Sequence, residues 1–238
     1  MPTSNEPSTP HNQLLSALSQ EEYERLLPFL ETVYLPLKQT LYEVNEPIEY
    51  VYFPQTVVIS LLTVMDNGDA VEIGTVGNEG MVGIPVLLET DQVPSRTFSQ
   101  IPGLALRMRT DTFKREVPPG SQLYSLLQRY IQTLFNQVAQ SAACNRLHLI
   151  EKRFCRWLLM THDRAGSDEF VLTQEFLAHM LGVRRAGVSE VASQFQEFGF
   201  IRYNRGNMII LDRKGLEANA CECYAKIKEQ FKRLAGKN

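Results

Sequence analysis

Two adjacent arginines, Arg184 and Arg185, carry the clearest chemical signal in this sequence. A guanidinium group can donate paired hydrogen bonds to guanine or to a phosphate. The pair follows Gly182 at the predicted start of a helix, where each cation opposes the helix dipole at a cost of about 0.3–1 kcal/mol. Residues that are locally unfavourable, such as a cation at a helix N-terminus, often mark functional sites. We therefore interpret the pair as a DNA-binding feature. The alternative is that both side chains belong to a solvated face of the helix.

Residues 173–199, TQEFLAHMLGVRRAGVSEVASQFQEFG, have the pattern of a helix-turn-helix. Ala178 is small enough to let two helices cross closely, and Gly182 can adopt the positive φ that the turn needs. Apolar residues at helical spacing would seal the crossing: Leu177, Leu181, Val183, Val188 and Val191. A plain helical hairpin would need the same core, but it would not explain the arginines that follow the glycine.

A β-hairpin is predicted directly after the second helix. Residues 200–203 and 208–211 flank the turn Asn204-Arg205-Gly206-Asn207, which would place Arg205 at the tip of a wing, close to a phosphate or the minor groove. A short strand over residues 170–172 leads to Thr173, whose hydroxyl can cap the first helix. One final amphipathic helix is predicted over residues 213–234.

The charge of the chain is unevenly distributed, although its net value is only -3. Residues 1–118 hold 7 basic and 16 acidic residues, a balance of −9, while the balance is +2 over residues 119–171 and +4 over residues 172–238. A polyanion would therefore dock at the C-terminal end, with the acidic N-terminal part facing away.

The N-terminal half changes to the alternating pattern of short strands. Two short helices are predicted over residues 14–31, with Ser19 as a cap, and seven or eight strands lie between residues 33 and 109. The strongest hairpin signal is the turn around Gly68. These strands are enough to close a small antiparallel β-roll, and a short helix over residues 111–116 follows.

The longest helical pattern of the chain begins near residue 121 and carries few charges. Its apolar residues step by threes and fours, as in a two-helix seam: Leu123, Leu127, Ile131, Leu134 and Val138. We expect this helix to form a homodimer, because paired recognition helices need a two-fold axis to meet two half-sites. The alternative is a long helix in the core of a single chain.

The predicted fold class is α+β, with an antiparallel β-roll (jelly roll), a long dimerisation helix and a winged helix-turn-helix. The boundaries are a disordered arm over residues 1–13, the roll over 14–118, the dimerisation helix over 119–148 and the DNA-binding domain over 149–238. Neither a signal peptide nor a transmembrane segment is evident in the sequence, so we expect a cytoplasmic protein without a membrane partner.

Four cysteines are present: Cys144, Cys155, Cys221 and Cys223. They contain no Cys-x-x-Cys pair, and no histidine stands at an evident metal-ligand spacing, so we interpret them as buried or idle thiols and expect no metal site. Cys221-Glu222-Cys223 is the nearest approach to a ligand pair.

In the order of these elements, the chain resembles the Crp/Fnr family of bacterial transcription regulators. The resemblance extends over residues 14–217 and is carried by TLYEVNEPIEYVYF, the helix-turn-helix and the wing sequence NRGNMIIL. It implies that Arg185 reads a base and that Thr173 contacts a phosphate. The family places an acid after that arginine, whereas this chain has Ala186, so the operator would differ, with Arg184, Ser189 and Glu190 as additional DNA contacts.

The resemblance also implies a ligand site in the roll. Cyclic-nucleotide binders of the family hold the ribose with an acid after a glycine, but here Ile84 follows Gly83. Arg96 and Thr97 could hold the phosphate. A ribose without its partner would leave polar groups unpaired at about 1–3 kcal/mol each, so we expect no cyclic nucleotide. A regulator that binds one through Arg96 and Thr97 is the alternative.

The family's iron–sulfur sensors use N-terminal cysteines, and none precedes Cys144, so we expect neither that cluster nor another cofactor. The predicted function is a homodimeric regulator that is not an enzyme, binds a palindromic site in double-stranded DNA and senses an unidentified signal. An activator would also contact RNA polymerase. A cupin-like enzyme would need clustered imidazoles, but no histidine lies in the predicted strands. A winged helix used only for protein contacts would not explain the arginines.

Overall fold

The computed structural model describes residues 11–68, 70–93 and 95–234. Within these residues the chain forms nine α-helices, two short 3-10 helices and ten strands. The strands of the N-terminal half form a β-roll, and a long helix connects it to a C-terminal winged helix-turn-helix. The predicted α+β fold is therefore confirmed.

The roll consists of two antiparallel sheets. Its seven strands are β1 (Glu31–Leu35), β2 (Thr40–Tyr42), β3 (Tyr50–Pro54), β4 (Val58–Val64), β5 (Ala70–Val76), β6 (Ser95–Ile101) and β7 (Gly103–Arg109). The strand order is β1-β7-β3 in one sheet and β2-β6-β4-β5 in the other. The predicted hairpin joins β4 to β5 around Gly68, and residue 69 of its turn lies outside the described residues.

Short helices close both ends of the roll: α1 (Gln13–Ser16), α2 (Gln20–Leu26) and α3 (Thr110–Glu116). Ser19 caps α2 as predicted, since its hydroxyl accepts the backbone N–H of Glu22. Asn12 is 0 % exposed, caps α1 and donates its amide to the carbonyls of Pro54 and Gly80, at 2.9 Å each. Because these bonds fix the start of α1, the predicted disordered arm over residues 1–13 is wrong at its C-terminal end; residues 1–10 lie outside the described residues.

The C-terminal half begins with the long helix and continues into the winged helix-turn-helix. Its first elements are α4 (Gln122–Leu147), α5 (Ile150–Ala165), β8 (Glu169–Val171), α6 (Gln174–Leu181), α7 (Arg185–Glu197), β9 (Ile201–Asn204) and β10 (Asn207–Ile210). The last three strands form one antiparallel sheet in the order β8-β10-β9. The helix-turn-helix is therefore α6 and α7, and the wing is β9 and β10.

The C-terminal segment differs from the single helix that the periodicity predicts. It forms α8 (Arg213–Asn219) and α9 (Glu222–Leu234), separated at Ala220, whose backbone is extended. Leu216 of α8 is buried in the core of the DNA-binding domain, whereas Phe231 of α9 packs beside Tyr130 of α4 at 6.5 Å between ring centroids. One straight helix could not reach both elements, so the chain turns between them.

Two hydrophobic cores support the molecule. The first fills the roll and includes the N-terminal half of α4. The second fills the winged helix-turn-helix domain and also takes in Leu62 and Phe98 from the roll, so the two halves are in direct contact. Among the helices of the described residues, none has the length and apolar character needed to span a bilayer.

Candidate nucleic-acid interface

The helix-turn-helix has the geometry that the sequence predicts. The Thr173 hydroxyl caps α6 by accepting the backbone N–H of Phe176 at 3.1 Å. Gly182 ends α6 with a φ of 60°, a left-handed conformation that favours glycine. Of the predicted crossing residues, Leu177, Ala178, Leu181, Val188 and Val191 are buried, and Val183 is half-buried against the same core. The turn therefore fixes the angle at which α7 leaves the domain.

Arg184 and Arg185 lie at the exposed N-terminal end of α7. Arg184 is the N-cap residue, although its side chain makes no capping hydrogen bond, and Arg185 is the first residue of the helix. Neither guanidinium forms an ion pair with a carboxylate of the residues that the structure describes. In contrast, Arg213 of α8 pairs with Asp163 and Glu217. The two positive charges are thus free to meet an external anion.

The tip of the wing lies beside the N-terminus of α6. Arg205 and Gly206 both have positive φ, 49° and 84°, as in the two-residue turns that suit the twist of a hairpin. The Gly206 carbonyl accepts the Leu172 N–H at 2.7 Å. A Cβ on Gly206 would lie 3.6 Å from the Thr173 methyl group. Thr173 and the tip residue Arg205 therefore belong to the same end of the domain.

Tyr203 connects this end to α7. Its phenol donates a hydrogen bond to the Leu172 carbonyl at 2.8 Å, and its backbone N–H donates to Gln196 Oε1 at 2.9 Å. Burial raises the pKa of Tyr203, while the nearby Arg185 guanidinium opposes that change. We define Thr173, Arg184, Arg185 and Arg205 as the arginine surface.

Ser189 and Glu190, the other two predicted contacts, lie further along α7. Ser189 is half-buried and donates its hydroxyl to Gln174 Oε1 at 2.7 Å, so that group holds α7 against α6. Glu190 is exposed. Arg202, which was not among the predicted contacts, is an exposed residue on β9 that has no ion pair with the described carboxylates. The alternation of the wing strand could have identified it, since Ile201 points into the core.

The predicted seam of α4 is covered in part by the chain itself. Leu123 and Leu127 are 0 % exposed in the roll core, so a second chain could not reach them, and the seam prediction is wrong for these two residues. Ile131 and Leu134 pack partly against the same core, and Val138 is half-buried. The opposite face of α4 carries Phe135, which is 66 % exposed. Periodicity identified an apolar face but not its partner.

Of the four predicted effector residues, Gly83 and Thr97 have little freedom, whereas Arg96 is exposed. Gly83 has a φ of 101°, and a Cβ there would lie 2.9 Å from the Tyr42 hydroxyl and from a Val51 methyl group. Ile84 follows as the first residue of a 3-10 helix (Ile84–Leu88), and Thr97 is buried. Arg96 pairs with Glu43 at 2.9 Å between Nε and Oε2. Arg96 is thus exposed and pairs through its Nε with a carboxylate of the roll, a surface contact worth about 1 kcal/mol or less.

A buried polar network joins the roll to α5. Trp157 donates its indole N–H to Glu72 Oε1 at 2.8 Å, and Glu72 Oε2 lies 2.7 Å from the Ser60 hydroxyl. That hydroxyl has a second acceptor, Gln100 Oε1, at 2.6 Å. Because a serine has only one proton to donate, a protonated Glu72 would complete the network. Burial raises the pKa of Glu72 to about 7, in spite of opposing hydrogen bonds and arginines.

Arg164 of α5 forms the second buried link. Its Nε donates to Glu79 Oε1 at 2.7 Å, with only 7 % and 9 % of the two side chains exposed. A terminal nitrogen donates to Gln137 Oε1 of α4 at 3.0 Å, and Gln137 in turn donates to the Thr75 carbonyl. The guanidinium also lies 5.6 Å from the ring centroid of Phe231. One side chain thus connects the roll, α4, α5 and α9.

All four cysteines are buried, as predicted, but three of them form a cluster that was not predicted. Cys144, Cys221 and Cys223 come together with His148 at the junction of α4 and α9, and their ligand atoms all lie within 4.8 Å of one another. Cys155 is buried elsewhere on α5. The spacing of Cys144 and His148, four residues apart on one helix face, was the signal that the sequence offered.

Comparisons with known proteins identify the DNA-binding domain and the fold. Residues 152–219 match the Crp-like helix-turn-helix domain. Comparison with curated protein sequences gives no match. Among solved structures, a CRP-family transcriptional regulator from Thermus thermophilus is 17% identical with a TM-score of 0.66, over 79% of this chain and 96% of that chain.

Two further structures have the same fold. FixK2 from Bradyrhizobium japonicum is 14% identical with a TM-score of 0.65, over 81% of this chain and 98% of that chain. CLP from Xanthomonas campestris, a c-di-GMP-responsive global regulator, is 14% identical with a TM-score of 0.65, over 82% of this chain and all of that chain (100%).

The described residues thus form a β-roll that is joined by a long helix to a winged helix-turn-helix. The chain has the Crp/Fnr-type transcription-regulator fold and carries a Crp-like helix-turn-helix domain, so the resemblance predicted from the sequence is confirmed.

Proposed function

We propose that the protein is a homodimeric transcription regulator that binds an inverted repeat in double-stranded DNA through the arginine surface. The observation that carries this proposal is the pair of unpaired, exposed guanidinium groups at the start of α7, beside the wing tip. A structural role would favour pairing with carboxylates, as Arg213 has. In the proposed complex, Arg185 reads a base edge, Arg184 and Glu190 contribute nearby contacts, and Thr173 and Arg205 contact phosphates.

Replacing Arg185 with alanine is expected to weaken binding to the operator by about 1–3 kcal/mol and to relax the preference at one base pair of each half-site. The reason is the loss of a paired hydrogen bond to a base edge. The operator is first obtained by selecting bound sequences from a random DNA pool. Affinities of the wild type and the variant are then measured on that operator and on its single-base variants.

The matched control is Arg205→Ala, since Arg205 is an equally exposed arginine of the same surface. Loss of a phosphate contact is expected to lower the affinity for all DNA sequences alike. It also makes the slope of log affinity against log salt concentration shallower by about one unit. Equal losses on operator and random DNA for the Arg185 variant would contradict base reading. Selection of sequences without an inverted repeat would contradict the dimer.

The proposed dimer contact is the face of α4 that the chain leaves uncovered. Phe135 is its most exposed aromatic residue, and Ala139 and Ala142 are exposed beside it at helical spacing. Ile131 and Val138, which also pack partly against the roll, border this face. The opposite side, from Leu123 to Cys144, is buried against the roll and α9. Binding to two half-sites requires that the two-fold axis of the dimer place the two α7 helices about 34 Å apart, one turn of DNA.

Replacing Phe135 with alanine is expected to weaken the dimer by about tenfold or more, because a large aromatic at the centre of an interface contributes most. Sedimentation of the purified protein over a range of concentrations measures the effect. Tyr34→Ala is the matched control, since Tyr34 is 63 % exposed but lies on β1 of the roll. An unchanged dimer dissociation constant for the Phe135 variant would show that the interface does not include this face of α4.

The roll is proposed to transmit a signal through its contacts with the DNA-binding domain. Phe98 of β6 packs edge-to-face on Phe176 of α6 at 5.8 Å, and Gly182 lies against Val71 of β5. A ligand that binds the docked and undocked arrangements unequally would change the placement of α7. Ile84 stands where the cyclic-nucleotide binders of the resembled family have an acid for the ribose, which favours a signal other than a cyclic nucleotide.

A further inference from the structure

A cluster of three cysteines and one histidine lies where α4 ends and α9 begins. Cys144 is on the last turns of α4, and His148 is its C-cap residue. Cys221 and Cys223 flank the first residue of α9. The arginine surface uses none of these residues, and the DNA contacts proposed above do not need them.

The distances within the cluster suit a tetrahedral metal ion. Cys144 Sγ lies 3.5 Å from Cys221 Sγ, and Cys223 Sγ lies 3.5 Å from His148 Nδ1. With Zn–S bonds of about 2.3 Å, two sulfurs of a tetrahedral site are about 3.8 Å apart. The widest separation among the four ligand atoms is below 4.8 Å, so closure around an ion needs movements of only about 1 Å.

The groups around the four residues also match those that support metal ligands. His148 directs Nδ1 toward the cluster, while its Nε2 lies 3.4 Å from Glu222 Oε2. A carboxylate on the second ring nitrogen orients a ligating histidine and raises its basicity. Gln140 donates an N–H to Cys223 Sγ at 3.0 Å, which stabilises a thiolate. All three sulfurs are buried, and this protects them from solvent.

We propose that Cys144, His148, Cys221 and Cys223 bind a structural zinc ion that attaches α9 to the end of α4. Three thiolates and one imidazole form a closed tetrahedral set that prefers zinc over hard cations such as Mg²⁺ and Ca²⁺. On binding, each thiol loses its proton to solvent as its Zn–S bond forms. No position is left open for water, so the site would be structural rather than catalytic.

The location gives the ion a structural consequence. Residues 148 and 149 connect α4 to α5, so the cluster lies at the junction between the proposed dimerisation helix and the winged helix-turn-helix domain. Arg153, near this junction, donates to Asn145 of α4 and to the Leu181 carbonyl at the end of α6. A zinc ion would add a second link, from α4 through α9, and thereby limit the angle between the two parts.

The experiment measures metal content and coordination of the full-length protein, purified without chelators. We expect about one zinc per chain, with Co²⁺ in place of zinc giving the intense d–d absorption of a tetrahedral site and a thiolate charge-transfer band. Cys223→Ala is expected to lose the stoichiometric metal. Glu222→Gln, which keeps all four ligands, is expected to weaken zinc binding by about 10–100-fold.

The control is Cys155→Ala, because Cys155 is an equally buried thiol outside the cluster, and its zinc content is expected to be unchanged. The Co²⁺ spectrum of the wild type tests the site even where a variant fails to fold. The proposal is overturned by a protein that lacks zinc and gives no tetrahedral Co²⁺ spectrum, by a Cys144–Cys221 disulfide in the purified protein, or by iron in place of zinc.

Discussion

Replacing Arg164 with methionine is expected to destabilise the protein by about 3–5 kcal/mol, the range that applies when one partner of a buried ion pair is removed. The variant leaves the Glu79 carboxylate buried, with only the Gly77 N–H as a hydrogen-bond donor at 3.1–3.2 Å. It also removes the donor to Gln137. Methionine keeps most of the packing volume, so the loss reports mainly the uncompensated charge.

Urea unfolding followed by the fluorescence of Trp157 measures this effect. Trp157 is the only tryptophan in the sequence and lies in the polar network between the roll and α5, so its emission reports the junction directly. Far-UV circular dichroism, recorded in parallel, reports the helices. Agreement of the two transitions would indicate that junction and helices unfold together, and a separate earlier Trp157 transition would indicate undocking.

A double-mutant cycle separates the ion pair from other consequences of the substitution. Glu79→Gln alone leaves the Arg164 charge without its partner and is expected to destabilise the protein to a similar extent. The combination of Arg164→Met and Glu79→Gln should cost clearly less than the two single changes together, because no buried charge remains. Strict additivity would contradict a direct interaction between these side chains.

The sequence was sufficient for the parts of the fold that local rules determine. Gly182 requires a left-handed backbone, Thr173 caps a helix, and Arg205-Gly206 forms a two-residue turn, so the helix-turn-helix and its wing were predictable from neighbouring residues. The alternating strands of the roll were predictable for the same reason. Each of these features depends on residues a few positions apart.

Features that depend on distant residues could not be predicted. The thiols of Cys144 and Cys221 are separated by 77 positions and meet only because the chain turns at Ala220. Glu79 and Arg164, separated by 85 positions, carry no sequence signal for their pairing. Leu123 and Leu127 show the same limitation, because periodicity defines an apolar face but does not say whether the roll or a second chain covers it.

The second large effect is a loss of stability as the pH rises, caused by Glu72. In the unfolded chain this carboxyl titrates near its usual pKa of 4.5, but burial raises the pKa to about 7 in the folded state. The folded protein therefore holds this proton more tightly. The stabilisation is complete below pH 4.5 and is lost as the pH rises toward 7. Since each tenfold change in proton affinity is worth about 1.4 kcal/mol, the loss is about 3 kcal/mol.

Glu72→Gln tests this assignment, because glutamine stays neutral and can keep the bonds that a protonated Glu72 makes. Its Oε1 can accept from Trp157, while its amide can donate to Ser60, which then donates to Gln100. We expect the difference in unfolding free energy between variant and wild type to grow between pH 5 and pH 8 by about 3 kcal/mol. Other groups titrate alike in both proteins, so parallel pH profiles would mean that Glu72 is already ionised in the folded junction. In that case the nearby Arg156 and Arg164 would balance its charge.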